Sequence, residues 1–370
     1  MILTIVAFVV ILSILVLIHE LGHFLVAKKL GIKVEEFGIG FPPRVFGIKR
    51  GETLYSVNLL PVGGFVKLFG EDAAGGGSIK KQEARSKKQE ADIKRAFYAR
   101  PIWQRFLVVF AGVFMNFVLA VVIISYLFAT QGVAIPSDKI HITEIAKNSP
   151  AAAAGLLTND VISKINGEPV TTTDGFISTV EKNSGKPISF TITRNGETFN
   201  KSITPRVNPP KGQGAVGVGI SDITVKKYKW YEAPFFGTIE AFKFSWIIFS
   251  GLGQMVGGLI FQGKTPEGVA GPIGIAQITG EAIRAGLNSY LWLGALLSIN
   301  LAVLNVLPIP ALDGGRLFFI AIEFVTRKKV NPKYEGYAHA VGLAVLLGLM
   351  VLITVFDIMR VASGQSLLPK

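Results

Sequence analysis

The sequence predicts a polytopic α-helical membrane protein with about four transmembrane helices, a β-rich region after the first of them, and one inserted α+β domain. Three observations carry this. Half of the 370 residues are hydrophobic, and the mean hydropathy is +0.47. Four apolar stretches, 2–27, 105–129, about 288–312 and 337–359, each reach the roughly 20 residues that cross a bilayer. A polar stretch of mixed pattern, 133–222, separates the second from the third.

Residues 1–30 form the first span. Between Met1 and Ile18 only Thr4 and Ser13 are polar. The lysines follow the run instead of preceding it, and no small-residue cleavage site closes it, so the segment reads as an uncleaved span and not a signal peptide. Residues 31–72 alternate in places and are rich in Phe, Val and Gly, which predicts short β-strands with tight turns, "KRGE" being one. Residues 73–100, with "GGGSIKKQEARSKKQEADIKR", read as a solvated cytoplasmic linker. The second span occupies 101–130. In the 133–222 island a short helix after "SP", Asn-Gly turns at 166–167 and 195–196, a helix near 174–183 and a closing strand at 214–220 predict a small α+β module. The next region, 230–286, opens with 234–262, which carries Glu240, Lys243 and many glycines. It reads as an interfacial amphipathic or re-entrant element. The third span follows at 287–313 and the fourth at 335–360.

The formal net charge is +13. No basic-aromatic motif accompanies it, so nucleic acid is not an expected partner. Positive-inside loops and anionic headgroups of the lipid bilayer account for it instead. Sixteen Lys and Arg lie between Lys28 and Arg105, and the 313–335 loop carries Arg316, Arg327, Lys328, Lys329 and Lys333. Both loops are expected on the cytoplasmic side, which leaves the inserted domain and both termini extracytoplasmic. There are no cysteines, so any zinc must be held by His and carboxylate.

"VLIHELGHFLVAKK" (16–29) places His19, Glu20 and His23 at the end of an oily run. Ionisable groups there are costly and mark function. On a helix His19 and His23 share one face, and H-E-x-x-H is the zinc-protease pattern, with two metal ligands and Glu20 as general base. A third ligand is needed. Glu35, Glu36 and Glu52 are available in the loop, but no helix pattern supports them. Asp313 ends an apolar span that runs toward the same membrane face as His19 and His23, so it is the preferred ligand.

The ordered set of HELGH, "AGVFMN" (111–116), the insert and N-x-x-P-x-P-x-L-D-G from Asn305 to Gly314 resembles the site-2 protease family, in its bacterial RseP/RasP-like type. "SPAAAAGLLTNDVISKINGEPV" (149–170) resembles a PDZ domain, present here once where RseP has two. The resemblance implies a zinc-dependent intramembrane endopeptidase, with one Zn2+ per chain, in the bacterial cytoplasmic (inner) membrane. Its substrates would be single-span transmembrane proteins or peptides, of the anti-sigma factor or remnant signal peptide type. It also implies that 31–72 is a membrane-associated β-region whose Gly64, Phe65, Val66 and Lys67 meet the substrate. Asn305 would bind the substrate backbone or oxyanion, and the loop from Thr265 to Ile278 would cap the outer face of the site. The G-x-x-x-N of Gly112 and Asn116 is expected to serve close helix packing. Gly22 is expected to admit either a neighbouring helix or the substrate. His141 and His339 carry no assigned role. The alternative is a membrane-anchored zinc protease cutting soluble or juxtamembrane substrates, which would not need Asp313 on a span.

Single cysteines at Ser86, Ser184 and Ser366 test the topology. Only the last two are expected to react with an impermeant thiol reagent in intact cells. Labelling at Ser86 without labelling at Ser184 would invert the assignment.

Overall fold

Helix α1 (Ile2–Lys29) runs 28 residues without interruption. Its aliphatic sequence contains neither Gly nor Pro before the H-E-L-G-H turn. It stops where Gly31 takes a φ of 70° and the Ile32 N–H donates to the Ala27 carbonyl, a closure that satisfies the last carbonyls. Lys28 and Lys29 sit in the final turn, where cations complement the helix dipole. The structure, a computed structural model, describes residues 2–71, 92–262 and 270–363. Most of the expected 73–100 linker therefore lies outside the described residues.

Two long strands, β1 (Val34–Arg50) and β2 (Thr53–Leu68), stand where several short ones were expected. Each bends and pairs twice. Residues 34–39 pair with 64–68 on one side and with 54–57 on the other, and 44–50 pair with 53–58. The bends fall at Gly40 and Gly63, whose φ values of 77° and 75° an L side chain rarely adopts. The segment 64–68 becomes an outer edge, and it lies against α1. Gly63 packs on Val16, Gly64 lies near Leu17, and Ser13 Oγ donates to the Pro61 carbonyl at 2.8 Å. The far half of the hairpin exposes Val45, Phe46, Leu59 and Leu60.

Helix α2 (Ile102–Thr130) returns antiparallel to α1. Where Gly22 lacks a Cβ, the Ala111 carbonyl and Met115 side chain of α2 come in. Gly22 therefore admits a neighbouring helix.

Residues 128–229 form a separate compact unit. Its elements are β3 (Val133–Ile145), α3 (Pro150–Ala153), β4 (Val161–Ile165), β5 (Glu168–Pro169), α4 (Thr173–Lys182), β6 (Ile188–Arg194), β7 (Glu197–Ile203) and β8 (Val218–Lys226). The sheet order is β7-β6-β4-β3-β8, with β5 on β4. Ile140, Ile142, Ile162, Phe176, Phe190 and Ile192 form its core. The Asn-Gly pairs turn with both residues at positive φ, as two-residue hairpins require. Ser149 caps α3 by accepting the Ala152 N–H at 3.1 Å, ahead of Pro150.

Helix α5 (Ala233–Gln262) is one continuous helix of 30 residues, over the stretch where an interfacial amphipathic or re-entrant element was expected. It packs antiparallel along α2, with Gly237 on Ser125 and Phe242 4.8 Å from Phe117 between ring centroids. Glu240 and Lys243 pair with each other at 3.2 Å, which lowers the cost of both charges on an otherwise apolar helix. Among the described residues, five helices, this one included, are long and apolar enough to cross a membrane.

The chain then resumes at the end of the bundle where α1 begins. Helix α6 (Pro272–Ala285), started by Pro272, takes in the second half of what the sequence suggested was a Gly-Pro loop, and its Gly280 packs on Thr4. Residues 265–269 of that loop lie outside the described set. Helix α7 (Leu287–Val306) runs parallel to α1: Tyr290 Oη donates to the Ala7 carbonyl at 2.8 Å, and Gly294 faces Ile11. Pro308 and Pro310 end the helix early, so Asp313 opens the next helix, α8 (Asp313–Thr326), and does not close α7. Helix α9 (Pro332–Ala362) completes the chain's described part.

Inside the 128–229 unit, burial raises the Asp160 pKa, but hydrogen bonds from Arg194 and from the Leu157 N–H outweigh it and hold the carboxyl below its usual value. The folded pKa lies below the unfolded one. The stabilisation is therefore full above about pH 4 and fades as pH falls toward the lowered value. Asp160→Ala is expected to lower the unit's melting temperature by at least ~5 °C at pH 7. The gap to wild type should shrink on acidification, read by hydrogen exchange at β4 and β6. A gap independent of pH would remove the charge from the explanation.

Candidate metal centre

His19 and His23 project from the last turns of α1, as i and i+4 on a helix must. Asp313 reaches them from the first turn of α8. Its Oδ2 lies 3.0 Å from His19 Nε2 and 3.2 Å from His23 Nε2, and the two Nε2 atoms are 3.2 Å apart. Three donor atoms thus form a nearly equilateral triangle. Ligands on a tetrahedral zinc, at ~2.0–2.1 Å from it, would be roughly 3.3 Å from one another. Asp313 Oδ2 is buried and accepts no hydrogen bond, an expensive state for a carboxylate oxygen without a cation nearby. Two imidazole nitrogens and one carboxylate oxygen, with sulfur absent from the set, suit zinc. Among the described residues this is the single cluster of three or more His, Asp or Glu that could hold a metal ion.

The loop that delivers Asp313 is held on several sides. Gly314 and Gly315 let it fold tightly, since a Cβ on either would strike the carbonyls of Leu307 or Ile309. The Ala311 N–H donates to His339 Nδ1 at 2.9 Å, and Gly342 lies against Pro310. Arg316, one turn after Asp313, pairs with Glu71 at the end of β2. Arg105 of α2 pairs with Glu323 of α8 at 2.7 Å, both buried. Removing one partner of such a pair typically costs about 3–5 kcal/mol. His339, read as unremarkable in the sequence, thus fixes the loop. Arg316 was seen only as a loop charge, because its partner lies 245 residues away.

Glu20 is held beside the cluster: the Val66 N–H donates to its Oε2 at 3.0 Å. Of the expected strand residues Gly64, Phe65, Val66 and Lys67, Val66 is the one that bonds Glu20, and all four lie on the outer strand edge. That edge is not empty. Glu20 takes the Val66 N–H, Glu71 takes the Leu68 N–H at 3.3 Å, and Lys67 pairs with Glu35 at 3.2 Å. Glu36 pairs with Arg44 at 3.8 Å. Glu52 bonds Arg95 and Lys28; the Arg95 hydrogen bonds, over an opposing effect of burial, hold its pKa at about 2. The three loop glutamates are thus occupied with cations of this chain. Asn305 stands half-buried in the last turn of α7 and makes no hydrogen bond to a described residue.

Helix α2 forms the back of the cluster. His23 Nδ1 lies 2.8 Å from the Val108 carbonyl, and His19 Nδ1 lies 3.4 Å from the Asn116 amide. Between them Gly112 has no side chain because both rings fill that space: a Cβ there would fall on His23 Nε2 and Cε1 and within 2.9 Å of His19 Cε1.

The chain matches the model described as Peptidase family M50 over residues 7–349. It is 34% identical to the zinc metalloprotease RasP of Geobacillus kaustophilus, over 96% of this chain and 98% of that one. It is 32% identical to the regulator of sigma-W protease RasP of Bacillus subtilis, with the same coverage of each. A relative from Clostridium perfringens is 39% identical over 94% of this chain and 96% of its own. Among solved structures, the PDZ domain of an SdrC-like protein from Listeria monocytogenes covers 24% of this chain and 93% of its own, at 19% identity and a TM-score of 0.22.

Gly112→Ala is expected to lower zinc retention at least ~10-fold, since both rings, His23 most of all, would have to move away from the added Cβ. Gly348→Ala, on an open face of α9, should be silent. Metal content after dialysis against a chelator reads the effect. Wild-type retention by Gly112→Ala would mean that α2 does not seat the ligands.

Proposed function

This chain belongs to peptidase family M50 and is a site-2-type zinc metalloprotease, and from that premise we propose that it is an intramembrane endopeptidase acting on single-span membrane substrates. The observation that carries the reading is the convergence of His19, His23 and Asp313 from two helices that are themselves apolar enough, or adjoin a segment apolar enough, to lie in the bilayer.

In this reading His19, His23 and Asp313 hold one zinc per chain. When bound, zinc supplies a Lewis acid that lowers the pKa of water from about 15.7 to about 7. Glu20 is the general base: it accepts a proton from the attacking water and returns it to the leaving nitrogen. The Val66 N–H keeps its carboxylate aimed beside the cluster. Asn305 offers its amide to the substrate backbone or the developing oxyanion. The outer edge at Gly64, Phe65, Val66 and Lys67 pairs with an unwound stretch of substrate, because a protease needs extended peptide where a transmembrane substrate is helical. Such pairing competes with Glu20 and Glu71 for the Val66 and Leu68 N–H groups.

The chain is proposed to lie in the bacterial cytoplasmic membrane with residues 128–229, read as a PDZ domain, and both termini outside. Because α7 runs parallel to α1, the loops after each lie at the same end of the bundle, and both are strongly basic. The positive-inside rule then assigns them together. The side chains exposed at Val45, Phe46, Leu59 and Leu60 suit a hairpin arm set into lipid.

Glu20→Gln is expected to cut turnover by at least ~10²–10⁴-fold while zinc stays bound. Asp313→Ala should lose zinc, with Asp313→Asn between it and wild type. Mass spectrometry of a cleaved single-span substrate should place the cut within or beside its apolar segment. A purified, zinc-loaded Glu20→Gln enzyme with wild-type turnover would sink the role of the base. Cuts confined to soluble segments would favour the anchored-protease alternative.

A further inference from the structure

Val108, Gly112 and Asn116 fall at i, i+4 and i+8 of α2, so they form one stripe along a single face. That stripe faces His19 and His23. For His23 the stripe provides a backbone acceptor, the Val108 carbonyl, 2.8 Å from Nδ1. For His19 it provides the Asn116 side chain, 3.4 Å from Nδ1.

An imidazole that gives its Nε2 lone pair to a cation carries its proton on Nδ1, and that proton needs an acceptor. Asn116 is fully buried, and its Oδ1 has no hydrogen-bond partner. A buried amide oxygen left without a donor costs about 1–3 kcal/mol. A half turn about the last side-chain bond exchanges the amide's nitrogen and oxygen. It brings Oδ1 to His19 Nδ1, where it can accept that proton. Among the described residues, no other group is bonded to His19 Nδ1. The backbone of Asn116 is anchored separately, because Ser298 Oγ of α7 donates to its carbonyl at 2.7 Å. Ordinary helix packing is therefore served without the amide.

We propose that Asn116 is a positioning residue for His19: its side-chain oxygen accepts the Nδ1 proton and fixes the tautomer and ring plane that leave Nε2 free for the cation. The inference rests on the metal reading above and adds to it a fourth residue, on a third helix, that never touches the metal.

The experiment uses the full-length protein in detergent, stripped with a chelator and titrated with zinc in a chelator competition. The visible bands of the cobalt(II) form are recorded alongside. Asn116→Leu keeps the shape and removes the acceptor, so zinc affinity should fall ~10–100-fold. Asn116→Asp keeps an acceptor, so it should bind zinc within ~3-fold of wild type or tighter, with shifted cobalt bands. Ser298→Ala disturbs the same packing without touching the amide and should stay within ~3-fold. The inference is overturned if Asn116→Leu binds zinc like wild type, if Asn116→Asp falls with it, or if Ser298→Ala falls as far. Should Asn116→Leu fail to fold, Asn116→Asp against Ser298→Ala decides alone: an aspartate variant ~10-fold weaker than the alanine variant refutes the acceptor role. His23→Ala separates the two readings. If it binds zinc as wild type does, the metal site itself is misplaced, whatever Asn116 does.

Discussion

The close crossing of α1 and α2 is the constraint on which the site depends. Helix axes normally stand 8–10 Å apart, and side chains at the contact set the distance. Here Gly22 removes the side chain on one helix and Gly112 on the other. The backbone of α2 comes near enough to put a carbonyl on His23 Nδ1 and an amide on His19 Nδ1. Without hydrophobic driving force in a bilayer, helices associate through such small-residue contacts and interhelical hydrogen bonds. The same features that hold the pair together therefore also orient its ionisable groups.

A second layer fixes the carboxylate. Asp313 begins a helix whose own start is too tight for any residue but glycine at the next two positions. Ion pairs to Glu71 and Arg105 tie that helix to the β-hairpin and to α2. The hairpin in turn holds Glu20 through Val66. His19, His23, Asp313, Glu20 and the strand edge are thus mechanically linked, and displacement of one element is felt by the others.

The cluster was legible in the sequence because its parts are chemically out of place. A glutamate between two histidines in an oily run has few innocent readings, and Asp313 after a twice-broken span has few more. Legibility failed where a residue type has a common innocent use. His339 looks like a span-start residue, with nothing in the sequence to show that it accepts the Ala311 N–H, and the packing glycine Gly112 gives no sign that two imidazole rings fill the space beside it. Helix α5 is hard to read in sequence because Glu240 and Lys243 count as two charges, whereas three residues apart on a helix they pair with each other. The strands misled because bends at glycines allow one long strand to pair twice. That pattern reads in one dimension as several short strands.

The ligand set is divided between the two ends of the chain, and this has a consequence for biogenesis. A ribosome delivers α1 and α2 first. At that stage His19 and His23 are present and Asp313 is not. Asp313 arrives only after the inserted unit has been built and α7 has entered beside α1. On the proposed reading, a partly synthesised chain would hold two of the three ligands beside Glu20, and the set would close only once α8 is in place.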